Sequence, residues 1–345
     1  MTSRIRVGVV GYGYWGPNVA RSFTGQADGQ LTAISDLSPE RRAAAEANHP
    51  GVFVTPDAME LIRSPLVDAV AIAVPVSRHF EVAMAALAAG KHVLLAKPLT
   101  ATDLEAETLC AEADRLGLTL MVDHTFVYSG PVQKIREITA RGDLGDLYYY
   151  DSVRVNLGLF QSDVNVLWDL SVHDLAILDY IVPDRPIAVS AIGMSHVAGG
   201  LEDQAYLTLF FERPFLAHVH VNWLAPVKVR RTLVGGSQKM IVYDDVEPSE
   251  KVKVYDCGVA ARMPDKPENY DVFWNYRMGD VFSPKLSREE PLRAEAAHFL
   301  KCIASRSTPL TDGDCGRRLV QILEAATTSM RQLGRQVELK KSRVG

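Results

Sequence analysis

The stretch that decides the fold is RIRVGVVGYGYWG at residues 4–16, where an apolar run leads directly into closely spaced glycines. The run at 4–10 is rich in β-branched residues, which is typical of a buried parallel strand. Gly11, Gly13 and Gly16 follow in the pattern G-x-G-x-x-G. In that pattern the first glycine permits a tight turn, the second lets the backbone approach a pyrophosphate, and the third lets helix and strand pack closely.

The residues that follow complete a dinucleotide-binding pattern. Pro17 suits the first turn of a helix, whose N-terminus offers N–H groups and a positive dipole end to phosphates. A second apolar strand at 31–34 ends at Asp36, twenty residues after Gly16, where a carboxylate can accept hydrogen bonds from a ribose diol. We therefore expect a dinucleotide site here. The alternative is a similar turn that has lost its ligand.

Asp36 also favours NAD over NADP, because a carboxylate repels a 2′-phosphate. Arg41 and Arg42 lie nearby in the sequence and leave NADP possible, although both are typical of a solvated helix face. Tyr14 and Trp15 stand between the glycines and are expected to contact the cofactor with them.

The composition argues against several classes of protein. With 345 residues, of which 47% are hydrophobic, the chain is globular and long enough for two domains. A net charge of −5 without a long basic run argues against nucleic acid or an anionic membrane as the main partner. Four scattered cysteines predict reduced thiols rather than a disulfide framework. The first strand begins near Arg4, which leaves no room for a signal peptide, and the longest apolar run is too short to span a bilayer, so we expect a cytoplasmic protein.

The first part of the chain alternates short apolar strands with alanine-rich helices, which predicts a doubly wound parallel sheet, that is, a Rossmann domain at 1–123. Predicted strands lie at 5–10, 31–35, 52–54, 69–74, 92–95 and 118–122, and predicted helices at 38–48, 79–89 and 102–116.

The pattern changes after a predicted helix at 132–140. Runs that alternate polar and apolar residues predict an open, mainly antiparallel sheet with two different faces, interrupted by a helix at 168–180. Residues 245–288 are rich in Pro, Asp and Lys and predict loops, and two helices at 289–305 and 314–334 close the chain. We expect an α+β domain for substrate binding and oligomerisation at 124–345.

Lys97 follows the fifth predicted strand, in LLAKPLT. Ligands of open α/β sheets bind beyond the carboxyl ends of the strands, so this lysine is expected near a nicotinamide ring. Pro98 fixes the backbone after it, and a cis peptide bond is compatible with that sequence. The alternative is a surface lysine at a turn.

Asp169 and His173 stand four residues apart in LWDLSVHDLAIL, so a helix would place both on one face. Histidine is the usual general base near neutral pH, and a neighbouring carboxylate can orient it or raise its pKa. Removal of hydride from a secondary alcohol needs such a base for the hydroxyl proton. The alternatives are a surface pair or a metal pair, and the adjacent Asp174 is expected to be structural.

Several other polar residues are weaker candidates. His79 begins a predicted helix near the expected cofactor, where a helix-capping role is equally consistent. His124 and Tyr128 fall in the crossover between the predicted domains, which lines the cleft in two-domain enzymes. Arg154 and Asn156 alternate on one strand and are candidates for contacts with a polar substrate.

His218 and His220 share one face of a predicted strand. A zinc site needs at least three protein ligands and no third is evident, so we expect no metal. The sequence also lacks a G-x-S-x-G nucleophile elbow.

These motifs together resemble the Gfo/Idh/MocA family of NAD(P)-dependent oxidoreductases. The resemblance rests on GYGYWG at 11–16, AVPVSRH at 73–79, AGKHVLLAKP at 89–98, WDLSVHD at 168–174 and the tail at 310–339. Within the family, the GYWGPN opening and the segment SDVNVLWDLSVHDLAIL resemble members that act on sugars and sugar nucleotides.

The resemblance implies roles for the matching residues. Lys97 corresponds to the lysine of the family's Glu-Lys-Pro motif, near nicotinamide and substrate. Asp169 and His173 correspond to the pair on the catalytic helix, with His173 as the proton acceptor. The family also implies homodimers or homotetramers that associate through the open face of the second sheet. The cofactor contacts that the resemblance adds are Val74, Pro75 and His79.

The leading hypothesis is an NAD(P)-dependent dehydrogenase or ketoreductase of a sugar, with a sugar nucleotide favoured. Ala96 stands where the family usually has Glu, which removes a carboxylate beside Lys97 and is the one feature that favours a non-catalytic NAD(P)-binding sensor or regulator. A third hypothesis is a reductase of the same fold acting on a non-sugar, such as a cyclic diol or an imine.

Overall fold

The computed structural model describes residues 4–340 except 159, 162, 198 and 263–272, and the chain forms two compact units. The first unit comprises Met1–Ser129 and Glu289–Glu324, and the second comprises Gly130–Arg288 and Ala325–Gly345. The units therefore differ from the expected division at 123 and 124, because a late segment of the chain returns to the first unit.

The helices are α1 (Gly16–Phe23), α2 (Pro39–Asn48), α3 (Ala58–Arg63), α4 (His79–Ala88), α5 (Asp103–Leu116), α6 (Gly130–Ala140), α7 (Val172–Ile181), α8 (Pro291–Ser305) and α9 (Gly313–Arg331). Short 3₁₀ turns lie at Val76–Arg78 and Thr125–Tyr128, and a π-helical turn lies at Leu167–Ser171. None of the helices in the described ranges is long and apolar enough to cross a membrane.

The strands of the first unit are β1 (Ile5–Val10), β2 (Gly29–Ser35), β3 (Phe53–Thr55), β4 (Ala69–Ile72), β5 (His92–Ala96) and β6 (Leu120–Asp123). Those of the second unit are β7 (Leu147–Leu157), β8 (Ala188–Met194), β9 (Gln204–Phe210), β10 (Leu216–Asn222), β11 (Leu224–Gly236), β12 (Met240–Asp244), β13 (Val252–Tyr255), β14 (Gly258–Arg262), β15 (Phe273–Arg277), β16 (Val281–Phe282) and β17 (Val337–Glu338).

The sheet of the first unit confirms the predicted Rossmann domain. Its six strands are parallel and lie in the order β3-β2-β1-β4-β5-β6. The strand order reverses between β1 and β4, and ligands of such sheets bind at that switch point, beyond the carboxyl ends of the strands. The loops that follow β1, β2, β4 and β5 hold the candidate residues of the first unit.

Local signals place α2 and α5 where the sequence predicts them. The Ser38 hydroxyl oxygen accepts a hydrogen bond from the Arg41 N–H at 3.2 Å at the start of α2. Thr102 caps α5 in the same way, and Gly117 ends that helix with a φ of 64°, in the left-handed region that favours glycine.

Long-range contacts explain why the segment 289–324 belongs to the first unit. Phe299 of α8 packs edge-on against Phe23 of α1, with ring centroids 6.4 Å apart. The Gln26 side-chain amide donates to the Arg293 carbonyl at 3.0 Å, and the Thr311 hydroxyl donates to the Val122 carbonyl at 2.7 Å. These contacts join residues far apart in the sequence, so composition along the chain gave no sign of them.

The second unit is built on a nine-stranded sheet in the order β16-β13-β12-β11-β7-β10-β9-β8-β17. Only β7 and β10 pair in parallel within this sheet, and its other described pairs are antiparallel, as the alternating sequence predicts. Side chains alternate between a buried face and a partly exposed face on β9 and β10.

The prediction of loops throughout 245–288 was wrong for four described segments of this range. Strands β13, β14, β15 and β16 lie in this range, while 263–272 fall outside the described residues. The sequence KVKVY at 251–255 alternates polar and apolar residues, and Val252 and Val254 are fully buried where β13 pairs with β12. This packing favours a strand despite the Pro, Asp and Lys residues around it.

Candidate functional site

The three glycines after β1 are constrained in different ways. Gly11 has a φ of 93°, and a Cβ added to it would lie 2.5 Å from the Ala73 carbonyl oxygen. A Cβ on Gly16 would lie 2.1 Å from the Gly11 carbonyl oxygen. A Cβ on Gly13 would meet only the Arg41 guanidinium group, at 3.4 Å. The protein itself requires the outer two glycines, whereas close approach by a ligand accounts for the middle one.

Helix α1 begins directly at this turn. Pro17 lies in its first turn, and no side chain caps its N-terminus. Uncapped N–H groups and the positive end of the helix dipole suit the phosphates of a dinucleotide, so the residues present fit such a cofactor.

Asp36 follows β2 and is held rigidly. Its carboxylate accepts the Tyr12 N–H at 2.7 Å through Oδ2 and the Ser38 N–H at 2.8 Å through Oδ1, and its side chain is only 7% exposed. Each oxygen has a second lone pair, so both can also accept from ribose hydroxyl groups. The structure thus fixes the expected ribose acid next to the glycine turn.

The two arginines near Asp36 are more than a solvated helix face. The Arg41 guanidinium group lies 3.7 Å from Asp36 Oδ2 and remains half exposed. Arg42 donates to the carbonyl oxygens of Asp36 and Leu37 at 2.9 and 2.8 Å. Arg42 therefore secures the turn after β2, and Arg41 adds positive charge beside the acid.

The two aromatic residues of the glycine turn have different environments. Tyr14 is 82% exposed, whereas Trp15 is half buried and its indole N–H donates to Asp123 Oδ2 at 2.5 Å. Tyr14 is therefore free to meet a ligand, and Trp15 anchors the turn to the end of β6.

His79 connects the loops that carry the other expected cofactor contacts. Its ring is buried, with Nε2 2.9 Å from the Val74 carbonyl oxygen and Nδ1 2.9 Å from the Pro98 carbonyl oxygen. The Lys97–Pro98 peptide bond is cis. His79 was expected to bind the cofactor, and its buried ring instead contacts the backbone next to Pro75 and Lys97.

Asp169 and His173 lie at the junction of a π turn and α7, both half buried. The expectation of a regular α-helix was wrong here, because Leu167–Ser171 is π-helical. The Trp223 indole N–H donates to Asp169 Oδ2 at 3.2 Å and so fixes the carboxylate four residues before His173. Short π segments inside helices are frequent at functional sites.

Arg154 was expected to contact substrate, and the structure corrects that expectation. It is buried, and its Nε lies 2.7 Å from Asp174 Oδ2 in an ion pair that the Ser152 hydroxyl joins at 2.7 Å. Burial lowers the guanidinium pKa, but the Asp174 charge and hydrogen bond outweigh burial and raise it overall. The pair ties β7 to α7, while Asn156, on the same strand, stays half buried.

Tyr128 and His124 were also expected at the substrate, yet both are buried within the first unit. The Tyr128 hydroxyl lies 2.9 Å from Thr311 Oγ1, and its ring packs against His298. Burial, assisted by the charge of Glu295, raises the pKa of Tyr128 far above its usual value. The Tyr128 hydroxyl group therefore joins the 125–128 turn to Thr311 within the first unit.

The sequence analysis missed Asp123 and Glu295. Asp123 ends β6 and receives the Trp15 indole, and Glu295 is fully buried in α8. The one available signal was a charged residue in otherwise apolar surroundings, as in LMVD at 120–123. Within the described parts of the chain, no group of three or more His, Cys, Asp and Glu side chains is placed to hold a metal ion.

Comparison with known proteins gives the family. Residues 5–124 match the family model described as the oxidoreductase family with an NAD-binding Rossmann fold, and residues 132–242 match the GFO/IDH/MocA C-terminal domain. The chain belongs to the Gfo/Idh/MocA family, which confirms the predicted family, fold class and NAD cofactor. It is therefore an NAD-dependent oxidoreductase, as expected.

Several relatives resemble the chain over most of its length. UDP-N-acetylglucosamine 3-dehydrogenase of Acidithiobacillus ferrooxidans is 27% identical over 318 residues, which is 92% of this chain and 94% of the relative. 1,5-Anhydro-D-fructose reductase of Ensifer adhaerens is 30% identical over 262 residues, or 70% and 77% of the two chains. A solved structure of the A. ferrooxidans enzyme covers 95% of this chain and 98% of its own, with a TM-score of 0.79 and 26% identity.

Proposed function

We propose that this oxidoreductase transfers hydride between nicotinamide and the carbon of a secondary alcohol or ketone of a sugar, with a sugar nucleotide as the substrate class. The observation that carries the proposal is the fixed Asp169 carboxylate four residues before His173, in a chain whose first unit carries an NAD cradle. Similarity to a UDP-N-acetylglucosamine 3-dehydrogenase over 92% of the chain supports the sugar nucleotide.

In the proposed oxidation, His173 accepts the proton of the substrate hydroxyl group as hydride leaves the carbon that bears it, which yields the ketone. Lys97 donates a hydrogen bond to the same oxygen and stabilises the negative charge that develops there. Asp169, held by Trp223, orients His173 or binds a neighbouring hydroxyl group. NAD, when bound, supplies the carbon that accepts the hydride.

The proposal is tested with His173→Ala and Lys97→Ala. We expect each to lower kcat by about 100-fold or more, because general acid–base catalysis contributes on that scale, while the Kd for NAD changes little. Turnover is measured from the absorbance of reduced nicotinamide with a panel of sugars and sugar nucleotides, and NAD binding by calorimetry. Lys134→Ala, which removes a surface ion pair with Glu137, is the control. Near-normal turnover in both site variants would contradict the assignment.

Ala96 is the observation that favours a second candidate, an NAD-binding sensor without turnover. The same panel, extended to cyclic polyols and imines, separates the candidates. Turnover with a sugar or sugar nucleotide supports the dehydrogenase, and turnover only with a cyclic polyol or imine supports a reductase of non-sugars. NAD binding without turnover on any member supports the sensor.

We also propose that the chain forms a homodimer or homotetramer through the partly exposed face of the nine-stranded sheet. Ile192 of β8, Tyr206 of β9 and His220 of β10 are register partners on this face, and the Tyr206 and His220 rings stack 4.4 Å apart. Ile192 is 55% exposed. A sheet face that presents apolar and aromatic side chains to water gains free energy when a second copy covers it.

A further inference from the structure

The carboxyl end of β6 carries a buried carboxylate that holds the glycine turn. Asp123 is 4% exposed, and its two oxygens accept from different donors. The Trp15 indole N–H donates to Oδ2 and the Thr125 hydroxyl donates to Oδ1, each at 2.5 Å. Since Trp15 lies between the second and third glycines, Asp123 links the NAD-binding turn to the far side of the sheet.

This carboxylate lies beside the end of the neighbouring strand β5. Asp123 of β6 is the register partner of Ala96 of β5. β5 ends at Ala96, whose side chain is a methyl group. At the same level of the sheet, the neighbouring strand β6 carries the Asp123 carboxylate.

A second carboxyl group is buried against the first. Glu295 of α8 is 0% exposed, and among the described residues neither of its oxygens has a hydrogen bond of ordinary geometry. Its side chain is nevertheless close enough to interact with Asp123 and Thr125. Burial, and next the negative charge of Asp123, raise the pKa of Glu295 well above its usual value. A fully buried carboxyl group beside a second buried carboxyl group needs an explanation, and a proton shared between the two provides one.

The surroundings of Glu295 include other titratable groups. Tyr128, from the 125–128 turn, is affected by the Glu295 charge, and the His124 backbone N–H partly offsets the effect of burial. On α8 itself the other titratable groups are Arg293, His298, Lys301 and Cys302. Cys315 of α9 also acts on Tyr128. From α1, Arg21 pairs with Glu290 at the surface.

We propose that Trp15, Asp123 and Glu295 form a positioning unit for the NAD-binding turn, in which one proton is shared by the two carboxyl groups. With that proton in place the pair carries one negative charge, and Asp123 is free to hold Trp15. Loss of the proton puts two negative charges side by side, so Asp123 moves or turns away and releases the glycine turn. This unit acts through the cofactor turn and does not depend on which substrate the enzyme uses.

The contact between Trp15 and Asp123 is tested with Trp15→Phe, which keeps an aromatic ring and removes the N–H donor. We expect the Kd for NAD, measured by calorimetry, to rise about tenfold, as for one hydrogen bond to a charged group. KM for NAD should rise with it, while kcat at saturating NAD changes little. Trp168→Phe is the matched control, because that indole N–H donates to Thr327 in the second unit. An unchanged Kd in Trp15→Phe would overturn the proposal.

The shared proton is tested with Glu295→Gln, which is neutral at every pH. In the native chain we expect the Kd for NAD to rise with increasing pH as Glu295 loses its proton, because the pKa of this carboxyl group is raised by burial and by Asp123. Glu295→Gln should show no such rise, while Glu290→Gln, a surface control at the start of α8, should keep it. Retention of the native pH dependence in Glu295→Gln would contradict the shared proton.

A spectroscopic measurement on the native chain avoids any question of folding in the variant. Infrared spectra of protein with isotopically labelled glutamate should show the C=O band of a protonated carboxylic acid at neutral pH, lost on alkaline titration. A spectrum with only ionised glutamate carboxylates at neutral pH would overturn the assignment without reference to NAD.

Discussion

At the scale of single residues, the glycine motif combines two different constraints. Gly16 lies so close to the Gly11 carbonyl oxygen that any side chain there displaces backbone, whereas Gly13 has room for a Cβ beside Arg41. In the pattern G-x-G-x-x-G, the fold therefore requires Gly16, whereas the ligand accounts for Gly13. The two requirements can be separated by experiment.

Gly16→Ala and Gly13→Ala should fail in different ways. We expect Gly16→Ala to lower the free energy of unfolding by about 1–3 kcal/mol, because the added methyl group overpacks a site bounded by backbone. Gly13→Ala should keep nearly native stability but bind NAD at least about tenfold more weakly, since the methyl group enters the path of the pyrophosphate. Urea denaturation and calorimetry measure the two quantities. Equal losses of stability in both variants would contradict this distinction.

At the scale of secondary-structure elements, the helix that carries His173 is held to the sheet by a buried ion pair. Arg154 of β7 and Asp174 of α7 form a buried ion pair, and the Tyr150 hydroxyl donates to the Asp174 carbonyl at 2.9 Å. Asp174 directly follows His173, so the pair fixes the start of α7. Arg154 is therefore placed to hold the helix that carries His173.

Removal of one member of this pair should be costly. We expect Arg154→Met to lower the free energy of unfolding by about 3–5 kcal/mol, because the Asp174 charge is left buried without its partner. The double variant Arg154→Met/Asp174→Leu should recover a large part of the loss, since no charge then remains buried. Arg141→Met, which breaks an exposed pair with Glu137, should change stability by less than about 1 kcal/mol. A double variant no more stable than Arg154→Met would argue against this explanation.

At the scale of the whole molecule, the outer face of the nine-stranded sheet determines the expected assembly. We expect Ile192→Asp to shift the chain from dimer or tetramer towards monomer, because it places a charge in the row that includes Tyr206. Multi-angle light scattering measures the mass. Leu310→Asp replaces an equally apolar, 45% exposed residue in the first unit and should leave the mass unchanged. A native chain that is already monomeric at working concentrations would rule out the proposed assembly.

Features set by neighbours in the sequence were predictable. The six strands of the first sheet, the cap of α5 at Thr102 and the turn at Gly11 follow from local apolar runs, side-chain oxygens and backbone freedom. The position of Asp36 at the end of the second strand was also predicted, because strand and acid lie within one βαβ unit.

The features that the sequence did not predict depend on contacts between residues that are distant in the chain. From the sequence, Arg154 was interpreted as an accessible residue of a strand. Only the packing of α7 on β7 shows that it is buried with Asp174. The bond from Trp15 to Asp123 spans 108 positions, and Glu295 comes later still. Hydrophobic periodicity reports which face of an element is buried, but not which polar group of another element it meets.

The sequence by itself thus determined a Rossmann domain, its NAD site, the antiparallel second sheet and the family, because local patterns and short motifs encode each of them. Tertiary structure alone decided the return of 289–324 to the first unit, the π turn that contains Asp169 and the hydrogen bond from Trp15 to Asp123. These features depend on burial, which removes water from polar groups and makes their state depend on the partners that folding brings to them.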